Sequence, residues 1–236
     1  MIFLKGGYTV IESVKRFRTP GELKIAAKEN LDGKWLTAIA VSIVAWLLVE
    51  AFTSSNGGNA AIKYVMENGK FIRVDTDGSA FKNMMSIVSL IIGGPIYFGI
   101  AYYFLKLARY ETAEFNDLFS GFSLFKTNFI LHLLITIFTI LWTLLLIVPG
   151  IIAAIKYSMA YNILIDNPEI GGLEAIRRST EMMDGHKMRF AEMWFSFLGW
   201  FLLSIVTFGL GMIYAAPYYR AAKANFYLDL KESCSV

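Results

Sequence analysis

Residues 129–165 read FILHLLITIFTILWTLLLIVPGIIAAIKYSMAYNILI, and this stretch decides the fold class. Its first part, residues 129–147, carries no Asp, Glu, Lys or Arg, and a helix needs about 20 apolar residues to cross the hydrocarbon core of a bilayer. Pro149 and Gly150 end that run, and residues 151–165 start a second apolar stretch with almost no room for a loop. Two such stretches joined so tightly predict a helical hairpin inside a membrane.

The composition of the whole chain agrees with this reading. Hydrophobic residues make up 56% of the 236 residues, and charged residues make up 17%. Soluble domains carry roughly 25% charged residues, so the chain is poor in charge. A single cysteine, Cys234, excludes a disulfide framework and a thiolate metal site. We therefore predict one membrane domain.

Applied along the chain, the same criterion predicts an all-α fold with six transmembrane helices, arranged as three helical hairpins. The predicted spans cover residues 35–52, 84–107, 129–147, 151–165 and 190–206, and the last one reaches residue 228. Gly93, Gly94 and Pro95 predict a kink in the second span. Gly209 and Gly211 predict the reversal between the fifth and the sixth. The predicted regions are a cytoplasmic segment 1–34, a membrane domain 35–230 and a tail 231–236.

A mixed polar and apolar segment precedes each odd-numbered span. These segments, residues 21–34, 114–128 and 172–189, predict amphipathic helices on the cytoplasmic membrane surface. Their apolar sides would be formed by Leu23, Ile25, Ala26 and Leu31; by Phe115, Leu118, Phe119 and Phe122; and by Leu173, Ile176, Met182 and Met183. Two interpretations stay open: the chain is an internal triplication, or each hairpin has the interfacial aromatics and connecting helices that any membrane hairpin needs.

Basic residues predict the orientation. They collect before the first span, between the second and third, between the fourth and fifth, and after the last, and the positive-inside bias places these regions in the cytoplasm. The chain is thus predicted to be a multi-pass protein of the cell membrane with both termini cytoplasmic. The N-terminal region is expected to stay attached, because its basic leader is too long for a signal peptide and residues 49–51 make a poor cleavage site.

One sizeable loop, residues 53–82, lies on the outer side in this topology. Within it, Glu67-Asn68-Gly69-Lys70 stands between apolar and aromatic residues on both sides. An Asn-Gly pair in that setting predicts a β-hairpin with a type I′ turn. Residues 60–66 also fit a helix, and both readings stay open.

The C-terminal half carries a resemblance to a known family. The stretches Glu174-Ala175-Ile176-Arg177-Arg178-Ser179 and Met182-Met183-Asp184-Gly185-His186-Lys187 resemble the bacterial integral-membrane family catalogued as domain of unknown function 975. Residues 195–200, 217–219 and 225–227, the Pro149-Gly150 pair and residues 26–35 fit the same pattern. The resemblance implies a multi-pass bacterial membrane protein, distantly similar to the membrane domain fused to some glycerophosphodiester phosphodiesterases. It implies no activity.

Catalytic chemistry has few candidate residues. The two histidines, His132 and His186, lie in different segments, and His132 has no carboxylate at the helical spacing of a metal site. Neither Ser158 nor Ser196 has a neighbour that would activate a nucleophile. We therefore predict no catalytic residue, no metal and no cofactor, and a protein that is not an enzyme.

Ionisable residues at membrane depth are the sharper candidates. Counting residues from the outer turns places Glu50, Lys156, Glu192, Arg220 and Lys223 within the predicted spans. Charge inside a bilayer is costly and usually faces protein or water. These five residues form a candidate polar seam, in which Glu50 could meet Lys156 and Glu192 could meet Lys223. The competing interpretation is that they snorkel to an interface or form structural ion pairs.

Three functions follow in order of preference. An accessory protein that binds a membrane partner fits the lack of catalytic groups and the three cytoplasmic amphipathic segments. A transporter of a small solute or lipid fits the proline-interrupted spans and the seam. An enzyme acting on lipid head groups fits only the distant family similarity. The predicted partners are the lipid bilayer and a membrane protein, without nucleic acid, and the oligomeric state stays open.

Overall fold

The computed structural model describes residues 16–53, 63–67, 70–74 and 79–234, with side chains described for 16–49, 84 and 87–233. Its elements are helical apart from one strand pair. In chain order they are α1 Pro20–Leu31, α2 Trp35–Thr53, β1 Lys63–Glu67, β2 Lys70–Val74, α3 Ser79–Ala108, a 3-10 helix Phe115–Phe122, α4 Phe125–Leu145, α5 Ile147–Lys156, α6 Ala160–Asp166, α7 Gly172–Met182, α8 Lys187–Ser196, α9 Leu198–Val206 and α10 Leu210–Cys234.

Four helical stretches are long and apolar enough to cross a membrane. They are Ile87–Ala108, Phe125–Leu145, Ile147–Asp166 and Lys187–Val206, and a fifth is added if α1 and the first part of α2, bent by 100°, are counted as one span. The search covered the described residues and rests on length and composition. The protein is thus a helical chain with several candidate membrane spans. The search finds four or five of them, so the predicted number of six stays a prediction.

Exposed apolar side chains collect at two helical tips. Large apolar residues of the second half of α4 and the start of α5 lie on the surface. For example, Ile137 is 48% exposed and Leu144 is 83% exposed. At the other tip, α9 buries none of its residues, and Phe208 in the turn after it is fully exposed. Surfaces of this kind are rare in soluble monomers and suit contact with lipid.

Two of the predicted spans are interrupted. The fourth is split into α5 and α6, and the fifth into α8 and α9. Near each break a serine hydroxyl donates to the carbonyl oxygen three residues earlier: Ser158 to Ile155 at 2.7 Å and Ser196 to Met193 at 2.6 Å. Such side-chain bonds compete with the regular helical pattern. The two serines considered as nucleophiles therefore lie at helix breaks.

The turn between the third and fourth spans differs from the prediction. The chain breaks at Leu146, which is extended, and not at Pro149-Gly150. Pro149 and Gly150 lie in the first turn of α5, where a missing N–H costs nothing because first-turn amides lack helical partners. Likewise, Gly211 lies inside α10, and Gly209, with a φ of 92°, forms the turn before it. Gly93, Gly94 and Pro95 lie within the single helix α3.

The three segments predicted to lie on the cytoplasmic surface form helices of two kinds. The first predicted segment forms α1, which begins with a capping box between Thr19 and Glu22. This helix buries Leu23, Ala27, Asn30 and Leu31. Ile25, also predicted on the apolar side, is 62% exposed. The second segment is a 3-10 helix, and the third is α7.

The 3-10 helix packs closely along the second half of α3. A Cβ added at Gly99 would overlap the carbonyl of Leu118, and one added at Gly121 would overlap the carbonyl of Pro95. Lys106 also donates to Asp117 at 2.9 Å. Because α3 and the 3-10 helix touch backbone to backbone, α4 begins beside Gly94, about halfway along α3.

The core lies where α3, α10 and α1 meet. Its largest fully buried side chains include Tyr103, Phe104, Phe226 and Tyr227. The buried amides Asn225 and Asn30 share a hydrogen bond of 2.7 Å between α10 and α1. This arrangement holds the middle of α10 against α3.

The loop predicted to lie on the outer side, residues 53–82, contains the predicted strand pair. Strands β1 and β2 are antiparallel, with Lys63 opposite Val74 and Glu67 opposite Lys70. This register leaves two residues between the strands, as the hairpin reading requires, and the helical alternative for residues 60–66 does not hold for the described part. The Asn68-Gly69 turn itself lies outside the described residues.

Candidate functional site

A cavity of about 400 Å³ lies between α3, α6, α9 and α10. Helix α10 supplies two cations to its wall, Arg220 and Lys223, which are three residues apart and so share a helix face. The remaining lining residues are aromatic, small or apolar, with one amide: Tyr97, Ile100, Ala101, Phe104, Tyr161, Asn162, Phe201, Met212, Ala216, Tyr219 and Ala224. The cavity therefore combines two positive charges with largely apolar walls.

The two cations have no carboxylate partner among the described side chains. Nη1 of Arg220 is buried and forms no hydrogen bond there. A charge that is buried in an apolar medium without a partner costs on the order of several kcal/mol, unless an opposite charge or water compensates it. The arrangement favours an anion between Arg220 and Lys223.

An aromatic and imidazole group borders the same cavity. Nδ1 of His132 and the hydroxyl of Tyr161 are 2.9 Å apart, and the tautomer of the imidazole decides which of them donates. The Tyr97 ring stacks on His132 with centroids 5.3 Å apart. A Cβ at Gly93 would lie 2.9 Å from Nε2 of His132, so only glycine leaves this space for the ring. His132 thereby holds the side chain of Tyr161, which lines the cavity.

An ion cluster, here called the Asp166 clasp, lies one helical turn beyond the cavity. Asp166 accepts from Arg109 of the segment after α3 at 2.5 Å, from Lys231 at 2.5 Å and from the Tyr227 hydroxyl at 2.7 Å. Asp166 follows Asn162 by one turn of α6, and Tyr227 follows Lys223 by one turn of α10. The clasp ties these chain segments together at this end of the cavity.

A second cluster joins the N-terminal segment to α8 and α10. Arg189 donates to Asp229 at 2.7 Å and lies over the rings of Phe17, at 4.1 Å, and Phe226, at 5.3 Å. His186 packs edge-on against Phe17 with ring centroids 4.7 Å apart. Burial, and secondarily the charge of Arg189, lowers the pKa of His186 below its ordinary value.

The structure brings together two of the five seam residues. Arg220 and Lys223 share the cavity, whereas Glu192 lines a separate pocket of about 170 Å³ beside Arg18 and Arg189. No ion pair joins Glu192 to Lys223 in the described part of the chain, so that proposed pairing is corrected. Counting residues gives the height of a side chain in a helix but not the direction in which it points.

Of the other two seam residues, Lys156 is not part of the cavity lining, and the side chain of Glu50 is not described. Lys156 is the last residue of α5, and its carbonyl accepts from the Ser179 hydroxyl of α7 at 2.6 Å. Glu50 lies in α2, but its side chain is outside the described residues, so its predicted approach to Lys156 stays a prediction. Tyr97, Tyr161, Asn162 and His132 were not predicted as site residues. A histidine in an otherwise apolar helix was the available signal.

Comparison with known proteins gives one family. The family described as "Protein of unknown function (DUF975)" matches residues 18–155 and 143–233. No curated protein and no solved structure matches the chain. Within the described residues, no group of three or more His, Cys, Asp and Glu side chains is arranged to hold a metal ion.

Proposed function

Because the chain belongs to the DUF975 family, whose function is unknown, we propose a function from the cavity: the protein binds an anionic ligand within the membrane and takes part in handling or moving a solute or lipid. The observation that carries this proposal is the pair Arg220 and Lys223 on one cavity wall without a described carboxylate partner. Ionisable residues inside a membrane-spanning segment are costly and commonly belong to substrate or ion pathways.

The size and lining of the cavity support the same function. Ligand cavities measure roughly 300–1,000 Å³ and combine apolar walls with a few placed polar groups. Tyr161 and Asn162 add neutral polar residues to the lining that holds the two cations. Aliphatic and aromatic walls exclude water, which strengthens the attraction between a bound anion and the guanidinium.

We propose with it a topology of six membrane crossings in the cell membrane, with both termini cytoplasmic. The four or five candidate spans, the lipid-compatible tips and the basic residues near α1, α7 and the end of α10 support this topology. The sixth crossing would be formed by α10, whose charged residues Arg220 and Lys223 face the cavity.

The experiment is native mass spectrometry of the tagged full chain, extracted gently from its own membrane. The wild type is expected to retain an anionic small molecule or lipid, and Arg220→Leu is expected to lose it. Arg177→Leu is the matched control, because Arg177 is exposed on α7 and far from the cavity lining. Retention that is equal in all three proteins, or absent in all three, contradicts the proposal.

An accessory role is the second candidate, and an exposed aromatic row favours it. Phe115, Phe119, Phe122 and Phe125 are each about two-fifths exposed, at 40–42%, and their successive rings are 6.2–6.4 Å apart. Such a row offers an apolar surface to a membrane protein partner. A stoichiometric protein that co-purifies with the wild type and is lost in Phe119→Ser would support this role.

Both candidates are non-enzymatic. The proposed site holds an anion by charge and hydrogen bonding and needs no general base or nucleophile. Turnover of a lipid head group that disappears on changing one carboxylate would contradict this part of the proposal.

A further inference from the structure

We propose that the ligand is an amphiphile, a membrane lipid with an anionic head group, and that it enters the cavity sideways from the bilayer. This inference rests on the proposed function, which requires only an anion. The added content is the apolar part of the ligand and its route. Both are argued from which lining residues are exposed and which are buried.

The cavity has an open side and a closed side. Its most exposed lining residues are Tyr97, at 38%, and Met212, at 46%. At the other side, Phe104, Asn162 and Ala224 are 1%, 4% and 2% exposed. The opening therefore lies toward Tyr97 of α3 and Met212 in the first turn of α10.

The opening lies within an apolar surface. Around Met212, the side chains of Leu202, Leu203 and Ile213 are 56%, 46% and 41% exposed. A free inorganic anion would have to cross this surface from the bilayer side, where it is poorly solvated. A lipid already resides there, with its chains in contact with such residues.

The Asp166 clasp closes the route toward the cytoplasm. Asp166 is itself 8% exposed and holds Arg109, Lys231 and Tyr227 across the end of the bundle. Because Tyr227 and Asp166 each lie one turn past a lining residue, the clasp stands directly behind the buried side of the cavity. In the described part of the chain, the clasp residues therefore stand between this side of the cavity and the end of the bundle.

The distribution of polarity along the cavity fits an amphiphile. Lys223 and Asn162 lie near the closed side, Phe201 and Met212 lie toward the opening, and Arg220 lies between them, within electrostatic reach of Tyr97. A phosphate or carboxylate head group would contact Arg220 and Lys223, and the attached chain would pass Ile100 and Phe201. About 400 Å³ holds a head group and the start of a chain, so the rest of the chains would stay in the bilayer.

The test is calorimetric titration of the detergent-purified full chain with three probes: dioctanoyl phosphatidic acid, inorganic phosphate and dioctanoylglycerol. Phosphatidic acid is expected to bind at least about tenfold more tightly than either other probe, because only it combines charge and chain. Arg220→Gln is expected to weaken binding of phosphatidic acid about tenfold, and Lys28→Met, on the exposed side of α1, is expected to leave it unchanged.

Variants that narrow the opening of the cavity test the lateral route of entry separately from the charge of the site. Met212→Trp and, independently, Phe201→Trp are expected to weaken phosphatidic acid and to spare phosphate, whereas Ile213→Trp, next to the opening but outside the lining, is the control. Phosphate binding as tightly as the lipid, or losses equal for both, overturns the lateral amphiphile and leaves the anion site standing. If no anion binds and Arg220→Gln equals the wild type, the proposed function itself falls.

Discussion

Arg220 and Lys223 show how much about the position of a single residue can be predicted from the sequence. Their predicted depth comes from counting residues, since an α-helix rises 1.5 Å per residue. That they face one cavity while Glu192 faces another pocket depends on how each helix is rotated about its axis, which packing decides. His132 was considered only as a metal ligand, because its contact with Tyr161, 29 residues away in sequence, could not be read from the sequence.

Asp166 is expected to be a stabilising residue. In Asp166→Asn, the cations of Arg109 and Lys231 lose their common partner, at a cost on the order of 2 kcal/mol, below the roughly 3–5 kcal/mol of fully buried pairs because Lys231 is half exposed. The apparent melting temperature in detergent should fall by about 4–8 °C. Glu169→Gln, exposed and three residues away, is the control. An equal effect of both changes would contradict the clasp.

His186 should make stability depend on pH. Its pKa is lowered in the folded protein by burial and by Arg189, against weaker opposite effects of Asp229 and Asp184. The unfolded chain therefore binds the proton more readily, so the contribution of His186 is present above the unfolded pKa and is lost as pH falls through the folded pKa. Melting temperatures measured between pH 7 and pH 5 should fall less in His186→Gln than in the wild type. Parallel curves would refute this role.

At the scale of elements, helix positions were predictable and helix interruptions were not. Long apolar runs fixed where α3 and α4 lie. The breaks near Ser158 and Ser196 were missed, because a serine in an apolar run equally fits a continuous helix and only its neighbours decide between the two. Pro149 misled in the opposite direction, since proline is favoured in the first turn of a helix as well as in a turn.

The contact between α3 and the 3-10 helix gives a sharp test at this scale. Gly99→Ala forces a methyl group into the backbone of Leu118 and is expected to cost about 3 kcal/mol or to prevent accumulation of the protein. Gly199→Ala is the matched control in α9, because nothing lies within 4 Å of the added Cβ.

In that control, alanine is expected to stabilise the helix by about 0.5–1 kcal/mol. Melting temperature and yield in detergent measure both changes. Indistinguishable behaviour of the two variants would mean that the 3-10 helix does not pack on α3 in the membrane.

For the whole molecule, the class of fold was predictable from hydropathy, because hydrocarbon demands long apolar helices whatever their arrangement. The number of membrane crossings is harder to predict from composition. Helix α10 carries the two cations of the cavity and charged residues of both ion clusters, so its average composition is no longer apolar. A helix that buries charge against protein can cross a membrane without satisfying a composition rule. The family match extends over the same helices.

Cys234 offers a direct test of the topology, because it is the sole cysteine of the chain. With the C-terminus in the cytoplasm, a membrane-impermeant maleimide should label Cys234 only after cells are permeabilised. In Cys234→Ser with a new cysteine at position 55, in the outer loop, labelling should occur in intact cells. The reverse pattern would invert the orientation.

The closed inner side of the cavity has a kinetic consequence. With lateral entry as proposed and the clasp closed, each occupant must leave by the way it came before the next can enter. Exchange would then be one for one, with a release rate that does not change with the concentration of competing lipid. Net movement of lipid between leaflets would require the clasp to open. A protein that only retains a lipid and a protein that transports it would therefore differ at Asp166.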